Sequence, residues 1–357
     1  MRKFNFKINK KKIGLNYPTY FIADIAANHD GNFQKAIDLI NFAKECGADA
    51  AKFQHFNAET IVSNKTFSEM SSKLSHQSSW EKSVYDVYKD ASLNLEWTKK
   101  LELECKRIGI DFFTAPYSLD LIDYVNKYVC AFKVGSGDIT WIESIKKMAK
   151  KNKPIILASG ASSMKDVKRA VTSIKKINKK ICLMQCNTNY TALDDNLKYI
   201  NLNVLKSYRK NFPGVVLGLS DHTHGHSTVL GAITLGARMI EKHFTLSNKL
   251  NGPDHKFSMN PKSWVEMIKR SRELELSLGS EIKKIEKNEY ETSIVQRRSI
   301  HTNNEIKKNA IIKKSDLTFL RPYLKNSYHP YEINKVVGKR ANKNFEKGEI
   351  IFWKKIK

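Results

Sequence analysis

Eight short apolar runs recur through roughly the first 260 residues, and the gaps between them carry helical periodicity. The runs are 20–25 (YFIADI), 50–53 (AAKF), 110–114 (IDFFT), 131–134 (AFKV), 154–158 (PIILA), 181–185 (ICLMQ), 215–219 (VVLGL) and 239–244 (MIEKHF). Between the first two, Ala36, Leu39, Ile40 and Ala43 fall on one face of a helix. Later, Met164, Val167, Val171 and Ile174 do the same, with Ser162 or Ser163 able to cap the start. A last helix is expected over 263–277. Eight strands alternating with helices over this length predict an α/β fold, a (β/α)8 TIM barrel. A doubly wound open sheet competes, but no GxGxxG follows the first run.

Two stretches break the rhythm. The connection over 55–94, which includes SSKLSHQSSWEKSVYDVY, is too long for a plain loop; in a barrel it falls on the catalytic face, as a lid. After Gly279 the charged stretch EIKKIEKNEYETS carries no strand signal. The expected organisation is a barrel domain over 1–280, a linker over 281–294 and a small β-rich domain over 295–357. The runs RRSIHT, AIIKKSDLTFLRP, KVVGKRA and KGEIIFW read as its strands, with turns near Asn303–Asn304 and Lys347–Gly348.

Charge raises another question. Sixty-two Lys and Arg against 36 Asp and Glu give a net +26, a balance that nucleic-acid binders share. Here the excess is spread along the chain with no basic arm, so no nucleic-acid partner is expected. A surface of this sign attracts small anions. No apolar run approaches the roughly 20 residues a bilayer span needs, and nothing after the basic N-terminus resembles a signal peptide, so a cytoplasmic location without membrane contact is expected. The five scattered cysteines make no disulfide framework.

In such barrels the chemistry sits at the C-terminal ends of the strands. Those ends read Asp24, then Asn28, His29 and Asp30; Lys52 and Gln54; Thr114 and Tyr117; Lys133, then Ser136 and Asp138; Ser159 and Gly160; Asn187, Thr188, Asn189 and Tyr190; Ser220, Asp221 and His222; Glu241, Lys242 and His243. Two lysines among small hydroxyl residues suit a phosphate or carboxylate. His222 and His243, from adjacent strands, make a candidate metal pair with open positions for substrate. In GLSDHTHGHST only His222 directly follows the strand, so His224 and His226 read as solvated loop residues.

The segments IADIAANHDGN, DAAKFQ, FKVGSGDI, KPIILASGAS, LMQCNTNY, GLSDHT, ARMIEKHFT, GPDHKFSMNP, RRSI and DLTFLRP follow one another along nearly the whole chain. In this combination the chain resembles the sialic acid synthases, meaning N-acetylneuraminate synthase and the relatives that make legionaminic and pseudaminic acids. The resemblance implies a barrel followed by an antifreeze-like (SAF) domain, and a domain-swapped homodimer. It implies a transferase that condenses phosphoenolpyruvate (PEP) with an N-acetylated hexosamine such as N-acetylmannosamine, giving a nine-carbon 2-keto sugar acid and phosphate. A 2,4-diacetamido-2,4,6-trideoxyhexose acceptor, or a catalytically silent sugar-binding role, are the alternatives. It also implies a divalent metal, usually Mn2+ with Mg2+ or Co2+ as substitutes, held by His222 and His243. Lys52 and Lys133 would bind PEP, with Ser136, Ser159, Asn187, Thr188 and Ser220 around it. Gln54, Tyr190 and Asp254 would contact the amino sugar, Arg321 would reach it from the partner subunit, and Asp24 would hold the acid/base position. The chain departs from the family in having Asp24 for the usual glutamate, ILASG for ILSTG and CNTNY for a CTNIY-type pattern.

Overall fold

The computed structural model describes residues 6–70, 72–191 and 193–357, with only the backbone of Ser79. The chain divides into two compact units, Met1–Gly279 and Ser280–Lys357.

The first unit opens with an antiparallel hairpin, β1 (Phe6–Ile8) and β2 (Lys11–Ile13). Asn9 takes a left-handed φ of 47° at its turn, a conformation asparagine tolerates better than most residues. Eight parallel strands follow and close into a barrel: β3 (Tyr20–Asp24), β4 (Ala50–His55), β5 (Asp111–Pro116), β6 (Phe132–Val134), β7 (Ile155–Ala158), β8 (Ile181–Cys186), β9 (Val216–Asp221) and β10 (Ala237–His243). The order round the barrel is sequential, with β10 pairing back onto β3. All eight coincide with the apolar runs, because a strand covered by helices outside and packed side chains inside is apolar on both faces.

The helices sit where the periodicity places them. Helix Phe33–Glu45 buries Ala36, Leu39, Ile40 and Ala43, and the Asn32 side chain accepts from the Lys35 amide at its start. Helix Met164–Lys175 begins with a capping box between Ser163 and Asp166 and buries Val167, Ala170, Val171 and Ile174; a cap of this kind is worth about 1 kcal/mol. Helix Pro261–Leu278 starts on an Asn260–Ser263 box, with Pro261 in the first turn where its missing N–H costs nothing.

The hairpin adds to the organisation expected from the sequence. It seals the end of the barrel where the strands begin. Asn9 donates to Asp111 at 2.6 Å, the Tyr20 hydroxyl donates to the other Asp111 oxygen at 2.7 Å, and Lys11 pairs with Asp49 at 2.7 Å. Opposite, the long connection is not bare loop: it carries short helices Ala58–Ile61, Asn64–Glu69 and Val84–Ala91 and a 3-10 turn Ser75–Ser79. Ala58, Val62 and Val84 form a small core of its own, with Phe67, Trp80, Tyr85 and Tyr88 packed against it.

The second unit pairs β11 (Ser299–Thr302) with β12 (Leu317–Leu320) in antiparallel fashion over a core of Ile300, Ile306, Ile312, Val336, Ala341, Phe345, Ile351 and Ile356. Runs KVVGKRA and KGEIIFW, read as strands, join only through isolated bridges such as Ile311 to Arg340 and His301 to Ile350. The stretch read as linker holds the short helix Tyr290–Val295. Among the described residues no helix is long and apolar enough to cross a membrane. The five cysteines are free, all buried except the half-buried Cys130.

Candidate active site

Alternation along each strand decides which of the strand-end residues share a space. On β10, Glu241 and His243 point into the barrel while Lys242 between them points out. Lys242 there pairs with Asp221 at 2.5 Å and donates to the Thr223 carbonyl, both groups buried. The same parity sends Ser220 and His222 inward and Asp221 outward, where Thr223 and Thr228 hydroxyls also donate to it.

Inside, four charges interlock. Lys52 Nζ lies 2.6 Å from Asp24 Oδ2 and 3.7 Å from Glu241 Oε1, and Lys133 Nζ bonds Glu241 Oε1 at 2.8 Å. The Ser220 hydroxyl donates to the same oxygen at 3.1 Å, and Gln54 Nε2 reaches Asp24 at 3.4 Å. All four charged groups are buried. Burial disfavours both carboxylates, yet the Lys133 and Lys52 ammoniums hold Glu241 down at about 2. Asp24 is different: burial raises its carboxyl, and Lys52 offsets this only in part. Two carboxyls sharing one lysine are therefore pushed apart, the pattern that separates a proton carrier from a fixed charge.

Next to this network His222 and His243 face each other with ring centroids 5.4 Å apart. His222 Nδ1 lies 2.9 Å from the Asn187 carbonyl, an orienting contact, and the ring also hydrogen-bonds Cys186. His243 Nε2 is 3.5 Å from Asp24 and its Nδ1 3.7 Å from Asp254. Both that Nδ1 and Asp24 Oδ1 are buried without a hydrogen bond. An unpartnered carboxylate oxygen and imidazole nitrogen, each with a lone pair to offer, fit a cation. Among the described residues no group of three or more His, Cys, Asp or Glu is gathered tightly enough to hold an ion alone. Two imidazoles could hold it, with the remaining positions left to water and substrate.

The loops complete the mouth. Tyr190 packs on His222 at 4.4 Å and on Phe257 at 5.2 Å, and Phe257 packs on His243 at 4.9 Å. Asp254 accepts from the Ala27 amide at 3.2 Å, and burial raises its carboxyl to about 6. Gly160 is the point where three side chains meet. A Cβ there would lie 1.8 Å from Thr188 Oγ1, 2.9 Å from Ser136 Oγ and 3.1 Å from Cys186 Sγ. Ser136 Oγ accepts from the Gly160 amide at 3.0 Å.

Several of the expected site residues already have partners within the chain. The Ser159 hydroxyl donates to the Met184 carbonyl at 2.8 Å and accepts from Tyr208. Ser220 spends its proton on Glu241. Asn187 turns its amide to the Tyr199 carbonyl and acts on the site through its own backbone oxygen. Arg321 belongs to the second unit. Glu241 and Cys186 were not singled out as site residues. Their one sequence signal is position: Cys186 ends β8, and Glu241 lies two residues before the end of β10, in the inward register of His243. His224 is exposed, and His226 begins helix Ser227–Thr234 without a side-chain cap bond.

Known proteins share this architecture. The profile of the NeuB family matches residues 39–283, and that of the SAF domain matches 297–357. The chain belongs to the NeuB family. Over 340 residues it is 35% identical to N,N'-diacetyllegionaminic acid synthase of Campylobacter jejuni, covering 93% of this chain and 98% of that one. It is 30% identical to human N-acetylneuraminate-9-phosphate synthase, covering 95% and 93%. Among solved structures, N-acetylneuraminic acid synthetase of Leptospira borgpetersenii superposes with a TM-score of 0.71 at 26% identity, over 81% of this chain and 95% of that one. The NeuB-family barrel thus carries the interlocked charges and the histidine pair at the ends of its strands.

Proposed function

We propose that this protein is a nonulosonic acid synthase that condenses PEP with the open-chain aldehyde of an N-acylated hexosamine. One observation carries the reading: the barrel that holds Lys52 and Lys133 on Glu241, at 3.7 and 2.8 Å, also sets His222 and His243 face to face at 5.4 Å. PEP presents a phosphate and a carboxylate, and two buried ammoniums are matched to it in charge. His222 and His243 are the residues that would hold a divalent ion, manganese foremost, which supplies Lewis acidity toward the acceptor carbonyl.

The chain's own groups account for the rest. Lys52 and Lys133 bind the two anionic ends of PEP and fix its C3 toward the aldehyde. A carbon–carbon bond forms between C3 and the aldehyde carbon as the aldehyde oxygen gains a proton, which Asp24 delivers. Water adds to C2 and gives a proton back to Asp24, and the proton left on the new C2 hydroxyl passes to the departing phosphate. The C2–O bond to phosphate then breaks, leaving a 2-keto acid and inorganic phosphate. Tyr190, Gln54 and Asp254 surround the acceptor, and Arg321 reaches its acyl group from a partner subunit in a domain-swapped dimer.

The test is phosphate release by purified protein with PEP, Mn2+ and a panel of N-acylated hexosamines. Release that depends on both PEP and one such sugar is expected. A panel in which no acceptor supports it overturns the reading.

A further inference from the structure

Spread along the sequence, the excess of positive charge is gathered in the fold. In a barrel of this order each helix returns the chain to the strand starts, so helix C-termini and the connections after them share the end opposite the mouth. On one half of that end, residues 126–131, 147–154, 175–180 and 209–215 hold eleven Lys and Arg and no Asp or Glu. They close helices Leu119–Asn126, Ile142–Lys150, Met164–Lys175 and Val204–Asn211 and lead into β6, β7, β8 and β9. At the mouth, the loops after the same four strands, 135–141, 159–163, 187–203 and 222–226, hold one lysine and three aspartates.

Side-chain bonds run from each connection to the next. Lys153 Nζ donates to the Asn126 and Val129 carbonyls, the latter at 2.7 Å. Lys180 Nζ donates to the Asn152 carbonyl at 3.0 Å, and the Asn178 amide to that of Lys153 at 2.7 Å. Lys175 Nζ reaches the Pro213 carbonyl at 3.1 Å. The four connections are thus one continuous face. A carbonyl orients an ammonium without cancelling its charge. Among the described residues the one carboxylate paired with this face is Asp123, on Lys147 at 2.7 Å and Lys151 at 2.5 Å. A helix C-terminus favours a cation in its last turn, which accounts for Lys150, Lys175 and Lys210. It does not account for Lys153, Lys179 and Lys180, which lie beyond the helices.

We propose that this face docks the protein on an anionic phospholipid surface, with the strand ends that carry the site turned away from it. Three observations favour lipid over a nucleic acid. Ten of the eleven cations are Lys, a compact point charge without the planar fork by which Arg recognises a phosphodiester. The nearby rings are not offered to bases, since Lys127 lies over Tyr124 and Tyr128, 5.9 and 5.0 Å from their centroids. Finally, Ile177 stands 41% exposed between Lys176 and Lys179. An apolar side chain ringed by ammoniums suits a headgroup layer, where the charges meet phosphate and the alkyl group meets acyl chains. The expectation of no membrane contact rests on the lack of a spanning run, which peripheral docking does not need.

The test is co-sedimentation of the full chain with vesicles of phosphatidylcholine, alone or with about one-third phosphatidylserine. Binding to the anionic vesicles only is expected, fading between about 50 and 500 mM salt as screening strengthens. Lys150→Gln, Lys176→Gln and Lys179→Gln together should lower partitioning by about 100-fold, because each lysine near such a surface is worth roughly fivefold. The matched triple Lys65→Gln, Lys198→Gln and Lys262→Gln, at the mouth end, has the same net charge and should change it little. Ile177→Ser should weaken vesicle binding about fivefold and leave retention on heparin, a polyanion without an apolar layer, unchanged. All variants should melt at the wild-type temperature. Equal losses in the two triples, or vesicle binding indifferent to Ile177→Ser, overturn the proposal. So does a lack of binding to anionic vesicles at low salt, which would leave the face to an acidic protein or a nucleic acid.

Discussion

On the proposed reading the chemistry turns on His222, whose ring is fixed by the Asn187 carbonyl at 2.9 Å. Replacing it with alanine removes half of a two-imidazole pair without touching the packed strands beneath. His222→Ala should weaken Mn2+ binding by about 100-fold or more by calorimetry and abolish phosphate release, with an unchanged melting temperature. Wild-type metal affinity in that variant would take His222 out of the site. Asp138 makes a prediction of a different kind. It follows Ser136 in the loop after β6, and burial alone raises its carboxyl to about 6. As pH climbs from about 4 the unfolded chain ionises this group first, and the folded protein lags until about 6. Stability should therefore fall across that window and stay lower above it. Asp138→Asn removes the penalty. It should stabilise the protein at pH 7 by about 1–2 kcal/mol, after allowing for partial exposure, and change little at pH 4. A denaturant midpoint that does not move at pH 7 would count against buried ionisation as the cause. The sequence made the lysines and the inward histidines legible because strand parity alone aims them. It could not tell that Ser159 and Ser220 give their protons to Met184 and Glu241, since a hydroxyl's acceptor is set by neighbours distant in the chain.

At the scale of elements, the same contrast holds for physical reasons. A strand buried on both faces announces itself as a short apolar run, and all eight did. Hairpin β1–β2 did not, because FKI and KKI carry only three buried apolar side chains, Phe6, Ile8 and Ile13, among lysines. The β4–β5 connection looked like a lid without structure, because its helices are four to eight residues long and show too few turns for periodicity to register. The turn from β7 into helix Met164–Lys175 was legible only as SG, though it governs how close three strands' loops approach. Gly160→Ala tests that closeness. Its Cβ would overlap Thr188 Oγ1 and press on Ser136 and Cys186, so these side chains must leave the positions expected to surround PEP. The KM for PEP should rise about tenfold or more, and far-UV circular dichroism should not change. An unaltered KM would mean that this crowded corner does not face PEP.

On the scale of the whole molecule, each unit has its own apolar core, and the chain's net charge of +26 is shared along both. A barrel with its own charge network still lacks, on the proposed reading, one group for the acyl end of its substrate. That group is Arg321, in the second unit, expected to act across a dimer. Subunit mixing distinguishes this arrangement from action within one chain. His222→Ala inactivates a barrel and leaves its SAF unit sound; Arg321→Ala does the reverse. In a mixed dimer of the two, the sound barrel faces the sound Arg321 only if the units are exchanged. Random co-assembly makes about half the dimers mixed, each with one complete site. Phosphate release should then recover to about a quarter of the wild-type rate, while each variant alone stays near background. The recovery should appear after denaturation and joint refolding, or on co-expression, and vanish when the proteins are mixed after folding if exchange is slow. Two inactive proteins that remain inactive after joint refolding, with mixed dimers demonstrated by affinity tags, would place Arg321 on the barrel of its own chain or outside the site.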